Sequence, residues 1–326
     1  MITERHFKMK KTTAVVASCV ALMSCGSGES TGISSFVSSP DRFANSGEVA
    51  AIPTETQRYN ETAGGDAFAG QNEVTSITYD SATETLTILG DPFDLAGTFK
   101  RAPKRDVRGF AAFENEGGAR NYLALVRVDS DNNLAAGVVG TPFRLDNEFG
   151  GTVLARGAAP TLPTNREVRH VGDYAGVRNV GTNNGDDMSN SFLHRVEGRV
   201  QLDLDFFTDR QSAGIEGVIT NRRNMDGTTT REVEVEVPVI GRPGQTTTET
   251  RQIAEEITYQ DIVLQFTGID ENGNFSGIAA VGGQPVGLYD GMIAGNNAAA
   301  SAGIVVIQEG SPVSLERGAF IARATD

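Results

Sequence analysis

The sequence has no tryptophan, only three histidines and a shortage of positive charge. Its 28 Lys and Arg residues are outnumbered by 42 Asp and Glu residues, and the formal net charge is −14 at pH 7. Phosphate backbones and anionic lipid headgroups repel a chain of this sign. The composition therefore argues against a nucleic-acid partner and against membrane adsorption through basic residues, although solubility alone would also explain the charge.

The chain also lacks a hydrophobic run long enough to cross a bilayer, which takes about 20 residues. A short apolar run, residues 14–23, follows a lysine cluster at residues 8–11 and ends at a small residue, Ser24, before Cys25. A basic start, a short apolar run and a small residue before the cleavage point are the pattern of a secretory signal peptide. We expect residues 1–24 to be this signal peptide.

Cysteine is nearly absent, with Cys19 and Cys25 as the two examples. Cys25 follows Leu22-Met23-Ser24, and this segment resembles the lipobox of bacterial lipoproteins. The resemblance implies cleavage before Cys25 and attachment of lipid, such as palmitate, to its sulfur and amino group. A secreted protein with a spare cysteine is the alternative. With Cys19 removed and Cys25 lipidated, no disulfide or thiol chemistry remains.

Familiar catalytic motifs are missing as well. There is no Gly-x-Ser-x-Gly nucleophile motif and no His-Glu-x-x-His zinc motif. His170 and His194 are widely separated, and His194 is expected at a surface or strand rim. Asp203 and Asp205 alternate on a charged strand face, so they do not indicate a glycosidase pair. We expect a protein that is not an enzyme and that has no cofactor and no resident metal.

Two acidic segments, residues 129–133 and 270–274, start like calcium-binding loops but lack the residues that complete one. In the first segment Leu134 occupies the position that requires glycine, and neither segment has a closing glutamate. Asn, Asp and Gly also supply the positive φ angles of tight turns. Both segments are therefore predicted to be hairpin turns.

The chain after the signal peptide divides by composition into a tether and two folded regions. Residues 25–49 have no apolar periodicity and indicate a flexible tether. Prolines at 160 and 163 interrupt the strand pattern and suggest a linker. We therefore expect an N-terminal β-rich domain over residues 50–165 and a second domain over residues 166–326.

Strand signals come in pairs in the N-terminal region. Residues 74–79 and 86–89 flank one polar turn, and residues 122–128 and 134–139 flank another. Alternating apolar residues on both sides of a short polar turn are typical of β-hairpins.

The C-terminal region contains eight strand candidates between residues 170 and 325. In the longest, apolar residues at 196–206 alternate with charged ones, which predicts one buried and one solvent-exposed face. Eight sequential antiparallel strands with one apolar face tend to close into a barrel, because closure removes both edges. A membrane-spanning barrel is the alternative, but the few aromatic residues and the charged second face favour a soluble one.

Residues 224–257 interrupt the series of short turns. Here Arg231 to Val239 alternates well, Arg242 opens a Pro-Gly turn, and a polar run rich in threonine and glutamate follows. The segment predicts a hairpin or a mobile loop that projects from the barrel rim. Exposed valines with a neighbouring Pro238 suit the edge of a β-ribbon.

The order of these features resembles the barrel domain of transferrin-binding protein B, over about half of the chain. The matching segments are Gly172-Asp-Tyr-Ala-Gly176, Gly198 to Phe206, Gly214 to Asn221, Gly273-Asn-Phe-Ser-Gly277, Gly287-Leu-Tyr-Asp-Gly291, Ala302-Gly-Ile-Val-Val and Glu316 to Ile321. Residues 50–160 correspond loosely to the region called the handle. The resemblance implies an all-β fold, a β-rich handle-like domain followed by a soluble eight-stranded antiparallel barrel. The chain departs from full-length relatives in having one such pair and not two.

The resemblance also implies a function, namely an outer-membrane lipoprotein at the cell surface or the periplasmic face. Its partners would be the membrane, through the N-terminal lipid, and a host protein or an iron or haem carrier. A structural or assembly lipoprotein without a dedicated small-molecule ligand is the alternative.

Recognition is expected in loops, since loops on rigid scaffolds usually carry it. The candidate binding residues are Asn183, Asn184, Asp186, Asp187, Arg231 and Arg242. The loop that contains the first four is polar enough to hold a cation weakly.

Overall fold

A computed structural model shows an all-β protein. The structure describes residues 49–52, 57–58, 70–71, 74–80, 83–90, 97–115, 122–140, 150–157, 159–180, 192–207, 213–238, 240, 242–309 and 314–325. Cys25 and the signal peptide lie outside the described residues. Within these ranges one short 3-10 turn, Pro103–Arg105, accompanies the strands. None of the helical segments described is long and apolar enough to cross a membrane.

The N-terminal region forms one antiparallel sheet, which we call the handle sheet. Its described strands are β1 (Val49–Ile52), β2 (Gln57–Arg58), β3 (Gly70–Gln71), β4 (Val74–Asp80), β5 (Thr85–Gly90), β6 (Gly97–Arg101), β7 (Ala111–Glu114), β8 (Leu123–Asp129), β9 (Leu134–Gly140) and β10 (Gly150–Arg156). Strands β4 to β10 follow one another in chain order, β1 adds to β4, and β2 and β3 lie beyond β10. Both predicted hairpins, β4–β5 and β8–β9, are confirmed by their pairing.

The C-terminal region forms a second antiparallel sheet. Its strands are β11 (Glu167–Val180), β12 (Phe192–Asp205), β13 (Gly214–Pro238), β14 (Thr246–Thr258), β15 (Ile262–Gly268), β16 (Asn274–Val281), β17 (Gln284–Ala294), β18 (Ala300–Glu309) and β19 (Ser314–Ala324). The sheet closes because β11 pairs with both β12 and β19, and β13 with both β12 and β15. The eight expected strands thus form the expected barrel, with β14 as an extra strand on the long β13.

The alternation predicted in β12 is confirmed. Val200, Leu202 and Leu204 are buried in the barrel interior, whereas Asp203 and Asp205 on the opposite face are partly exposed. Because successive side chains of a strand point to opposite sides, a single register decides the environment of the whole strand. The apolar face of β12 is therefore the inner face.

Several glycines of the barrel make room for Tyr174, a fully buried residue of β11. A Cβ atom on Gly318 would lie 2.0 Å from the hydroxyl oxygen of this tyrosine, and one on Gly198 would lie 3.1 Å from its ring. Neighbouring strands can accept the large ring only where they carry no side chain, and this close approach explains part of the glycine content.

The outer face of the barrel packs against the handle sheet and forms a second core with it. Barrel strands β11, β17, β18 and β19 contribute outward-facing residues to this cluster: Ala175, Val177, Met292, Ala294, Ala300, Ala302, Ile304, Ala319 and Ile321. The handle sheet contributes Leu123, Leu125, Leu134, Ala136 and Val138, among others. The two regions therefore share buried apolar surface, and the division between residues 165 and 166 stays a prediction.

Candidate binding surface at one end of the barrel

The two ends of the barrel differ in what they carry. The linker lies at the end that we call proximal, where the Thr161 amide donates to the Gly295 carbonyl (3.1 Å) and the Thr161 carbonyl accepts from the Ala298 amide (3.0 Å). At the opposite, distal end β11 stops at Val180 and β12 begins at Phe192. The linker is thus tied to one end, and the segments predicted to bind ligand join the barrel at the other.

The loop that contains Asn183, Asn184, Asp186 and Asp187 lies outside the described residues. Its two flanking strands pair up to Val180 and Phe192, so the loop joins the barrel at the distal end. The role of these four residues in binding therefore stays a prediction.

The long strands β13 and β14 form a ribbon that leaves the barrel at the distal end. We define the ribbon as residues 228–238 and 246–256, which pair in continuous antiparallel register from Thr228 with Glu256 to Pro238 with Thr246. Eleven residues in extended conformation span about 35 Å. Most of its side chains are exposed, so the predicted hairpin is confirmed as a solvent-exposed, two-stranded projection.

The tip of the ribbon is a tight turn. The Gln245 amide donates to the Arg242 carbonyl (3.1 Å), and Gly244 has a φ of 80°. Proline at the second position and a glycine of positive φ at the third are typical of a type II turn. Arg242 is exposed at this tip.

Arg231, the other predicted binding residue of the ribbon, lies on its shaft. Its guanidinium is 3.8 Å from the carboxylate of Glu255. The side chain of Arg231 is 62% exposed and that of Glu255 is 50% exposed. A surface pair of this kind contributes little to stability. The structure thus places Arg231 and Arg242 on one ribbon, at its shaft and at its tip.

Ion pairs hold the base of the ribbon. The Asp226 carboxylate accepts from the Arg195 backbone amide (2.7 Å) and from the Arg195 guanidinium (2.6 Å). Burial raises the pKa of Asp226, but the hydrogen bonds and charge of Arg195 outweigh burial and lower it below the usual value. Arg105 of the handle region approaches the same carboxylate to 3.9 Å. The Asn224 side-chain amide donates to Nδ1 of the half-buried His194 (2.6 Å).

A second ion-pair group continues from the handle to the ribbon. Glu197 of β12 pairs with Arg108 of the handle region (3.1 Å) and with Arg223 of β13, which in turn pairs with Glu256 of β14 (3.2 Å). Fixed charges at the base orient the first residues of the ribbon relative to the barrel, because together the pairs join the handle region, β12, β13 and β14.

The distal end of the barrel also opens into a cavity of about 950 Å³. Its lining residues are Arg178, Thr258, Tyr259, Gln260, Ile278, Val281, Pro285, Val286, Gly287, Leu288, Gln308 and Glu309. The mixture of apolar side chains with a few polar ones is common in pockets that bind ligands.

Below this cavity lies a cluster of buried charges, which we call the interior ion cluster. Glu316 of β19 is fully buried and contacts Arg222 (2.6 Å) and Arg178 (3.0 Å). Glu309 of β18 contacts Arg178 (2.6 Å), and the Tyr174 hydroxyl donates to Glu316 (2.7 Å). Two acids and two bases balance their charge, and the tyrosine supplies a further hydrogen bond.

The ionisation of the cluster follows from its geometry. Burial raises the pKa of Glu316, but the nearby Arg222 and Arg178 guanidinium groups outweigh burial and keep that pKa below its usual value. Burial, together with the charge of Glu316, raises the pKa of Tyr174 far above the usual range. Glu316 is therefore an ionised acceptor and Tyr174 a neutral donor at neutral pH.

Tyr259 joins the cluster to the cavity. The guanidinium carbon of Arg178 lies 4.4 Å from the centre of its ring, and that of Arg222 lies 5.5 Å away. Both distances fall within the range of cation–π attraction. The cluster thus borders the cavity, which Arg178, Tyr259 and Glu309 also line, and its charges are satisfied by one another.

The interior ion cluster was not predicted from the sequence. Its members lie far apart in the chain. The sequence feature that could have revealed it is a charged residue at an inward-facing position of an otherwise apolar strand. Glu316 precedes Gly318 and Phe320 with the same parity, so it shows this feature. Arg222 does not show it, because it has the opposite parity to Ile219 and is buried only after the register shift opposite Glu197 and Arg199.

The acidic segments that resemble calcium loops are hairpin turns, as expected. The Asp129 carboxylate accepts from the Asn132 amide (3.3 Å) and pairs with Arg323 (2.8 Å), and Asp270 accepts from the Asn274 amide (2.7 Å). Within the described ranges no group of three or more His, Cys, Asp or Glu side chains could hold a metal ion.

No protein-family model matches this chain, and neither does any curated protein compared with it by sequence. Solved structures do resemble it. A double mutant of transferrin binding protein B from Haemophilus parasuis Hp5 is 12% identical, with a TM-score of 0.42, over 84% of this chain and 45% of that one. The isotype 1 protein from serogroup B Neisseria meningitidis is 14% identical, with a TM-score of 0.39, over 83% of this chain and 43% of that one.

A protein described as a surface lipoprotein is 10% identical, with a TM-score of 0.35, over 86% of this chain and all of that chain. The family named from the sequence is thus among the solved structures that this chain resembles. The chain spans less than half of the length of the first transferrin binding protein B structures. At these identities and TM-scores, its function has to be argued from its own residues.

Proposed function

We propose that this protein is a lipid-anchored binding protein of the bacterial outer membrane. In this proposal Cys25 carries the lipid, the tether separates the lipid from the handle sheet, and the distal end of the barrel binds a protein ligand. The ligand class is an iron or haem carrier or another host protein, at the cell surface or the periplasmic face.

The ribbon is the observation that carries this proposal. A two-stranded ribbon that extends about 35 Å into solvent contributes little apolar burial to the fold, and isolated hairpins are only marginally stable. Ion pairs from two regions of the chain nevertheless support its base. A projecting element with a fixed base suits recognition, because it presents a large surface to a partner at small entropic cost.

The distal cavity supports the same proposal. It lies between the base of the ribbon and the turn from Val281 to Gln284, so a ligand that contacts the base of the ribbon would also contact the rim of the cavity. Its exposed apolar residues, Ile278 of β16 and Leu288 of β17, are cross-strand neighbours. Aromatic or aliphatic side chains of a protein ligand fit such a surface.

The test uses immobilised full-length mature protein and three soluble probes: iron-loaded transferrin, iron-free transferrin and haemoglobin. A shortened variant has residues 228–256 replaced by an Asn-Gly turn, and a matched control carries Arg169→Gln at the proximal end. We expect at least one probe to bind the wild-type and control proteins and to lose affinity at least tenfold for the shortened variant.

Failure of every probe to bind, or equal binding by the shortened variant, would contradict the proposal. The first result would favour a structural or assembly lipoprotein of the outer membrane. The second would leave the barrel or the handle as the binding element and would remove the role of the ribbon.

A further inference from the structure

Strand β13 has a free edge along the ribbon. Its neighbour on that side, β12, pairs with β13 only as far as Asn224, and β15 pairs only with its first residues, up to Ile219. From Thr228 to Pro238 the strand therefore pairs with β14 on one side and with no other described strand on the other. An unpaired edge presents backbone N–H and C=O groups to any extended chain that approaches it.

The side chains along this edge form two rows of opposite character. Val233, Val235 and Val237, which the sequence pattern predicts to be exposed, point to one face of the ribbon and are half-buried, while Glu232, Glu234 and Glu236 point to the other and are exposed. Residues two apart on a strand are separated by about 7 Å. The edge thus carries an apolar row and an acidic row in the same register.

In the part of the chain that the structure describes, the acidic row has no basic partner. Across the ribbon, Glu232, Glu234 and Glu236 face Gln252, Thr250 and Thr248. Within the paired residues of the ribbon the two arginines lie on the valine face, where Arg231 pairs with Glu255 and Arg251 with Glu249 (3.4 Å). Among the described residues no ion pair engages the three glutamates of this row.

A second copy of the same edge is a poor partner. Pairing of two β13 edges would place glutamates opposite or diagonal to glutamates, and like charges across a strand pair are destabilising. The net charge of −14 adds to this repulsion. The acidic row therefore protects the free edge from self-association and leaves it open to a strand of opposite charge.

We propose that the free edge of β13 binds an extended protein segment in which basic and apolar residues alternate, as a third strand of the ribbon. Main-chain hydrogen bonds supply affinity, basic side chains lie opposite Glu232, Glu234 and Glu236, and apolar side chains lie opposite the valines. This inference rests on the proposed function, since it names the chemistry of the partner that the ribbon recognises.

The probe is a fluorescent peptide of about ten residues that alternates lysine and valine, a length that matches the free edge. Fluorescence anisotropy measures its binding to the full-length mature protein. One control peptide has glutamate in place of lysine. A second control peptide keeps the lysines but has N-methyl groups on alternate backbone amides. The row variant combines Glu232→Gln, Glu234→Gln and Glu236→Gln. The matched control variant combines Glu249→Gln and Glu255→Gln on the other face of the ribbon.

We expect the lysine–valine peptide to bind, the combined row variant to weaken binding about tenfold and the control variant to change it little. The glutamate peptide and the N-methylated peptide should not bind. Unchanged affinity of the row variant would overturn the proposed charge match, and equal binding of the N-methylated peptide would overturn strand addition. Circular dichroism and a thermal melt verify that both variants keep the wild-type fold.

The carrier experiment separates this inference from the proposed function. Suppose that the shortened variant no longer binds a carrier protein that the wild type binds, and that the lysine–valine peptide does not bind the wild type. The proposed function then stands, and the strand-addition inference is wrong. If the peptide binds as expected while every carrier fails, the free edge is a binding site and the ligand class in the proposed function is wrong.

Discussion

At the scale of single residues, this protein places charge where strand patterns predict apolar side chains. Glu316 is the central example, because it is fully buried and bonded to Arg222, Arg178 and Tyr174 at once. A buried charge is tolerated only when partners of opposite charge and hydrogen bonds replace water. The interior ion cluster is therefore sensitive to the loss of any one member.

We expect Glu316→Gln to lower the free energy of unfolding by about 3 kcal/mol, because it leaves two buried guanidinium groups with one carboxylate, Glu309. Glu249→Gln, an exposed change on the ribbon, should stay within about 0.5 kcal/mol of wild type. Urea unfolding of both variants measures the difference. Equal losses would show that the cluster contributes no more than a surface pair.

His170 is the buried residue whose ionisation should affect acid stability. Its Nε2–H donates to the Ala298 carbonyl (2.7 Å), its Nδ1 contacts the Ser301 hydroxyl (2.9 Å), and burial lowers its pKa to about 4. The unfolded chain, with a pKa near 6.5, binds the proton more readily. The free energy of unfolding is therefore highest above pH 6.5, and it falls by up to about 3 kcal/mol as the pH falls towards 4.

We therefore expect His170→Gln to flatten the dependence of the unfolding free energy on pH between 6.5 and 4, whatever its effect at pH 7. Urea midpoints measured at intervals of pH for the wild type and the variant provide the test. His194 is present in both proteins, so its own titration cancels in the comparison. Parallel pH profiles would mean that His170 is accessible to protons in the folded state.

At the scale of elements, the faces of β12 decide what kind of barrel this is. Leu204 is 1% exposed and points inward, whereas its neighbour Asp205 is partly exposed. The same alternation governs the ribbon, where valines and glutamates take opposite faces. A strand in this protein is therefore defined by its register, since a slip by one residue would exchange its two faces.

We expect Leu204→Asp to destabilise the barrel by several kcal/mol, because it buries a carboxylate without a partner among apolar side chains. The adjacent Asp205→Asn should change the unfolding free energy by about 0.5 kcal/mol or less. Urea midpoints of the two variants compare opposite faces of one strand. A larger loss at Asp205 than at Leu204 would mean that the faces are reversed.

At the scale of the whole molecule, the barrel and the handle sheet share a core. Outward-facing residues such as Ala302, Ile304 and Ile321 are buried only because the handle covers them. Across the same interface, Arg323 of β19 pairs with Asp129 of β8, and Arg127 of β8 pairs with Asp173 of β11 (3.1 Å). The barrel closes by itself, but it does not bury all of its apolar surface by itself.

We expect residues 166–326, expressed alone, to melt cooperatively as a β protein at a lower temperature than the full mature chain. The inner core is complete in this fragment, whereas the apolar outer face becomes exposed. Differential scanning calorimetry measures the transition, and a hydrophobic dye reports the exposed face. A melt without a cooperative transition would mean that the handle sheet is required for the barrel to fold.

Membrane attachment concerns the whole molecule as well. We expect Cys25→Ala to abolish membrane retention, because the resemblance of the segment before Cys25 to a lipobox implies a lipid anchor on that cysteine. Triton X-114 partitioning of cell extracts should move the variant from the detergent phase to the aqueous phase. A variant that stays in the detergent phase would show that another part of the chain holds the membrane.

The sequence by itself determined the strands and the ribbon, because alternation and turn residues act over a few neighbouring positions, and it indicated the barrel through the number of sequential strands with one apolar face. Val200, Leu202 and Leu204 define their face locally, and so do the turns at Asp270 and Gly244. The faces of single strands and the positions of their turns need no knowledge of the rest of the chain.

Only the tertiary structure decided which charges are inside and which apolar residues meet the handle. Glu316 and Arg222 are 94 residues apart, and a contact at that separation depends on barrel closure and on the register of several strands. Ala302 and Ile321 resemble solvent-facing positions of a closed barrel until the handle sheet covers them. Long-range pairing decides both cases, because burial is a property of the assembled sheets and not of any one strand.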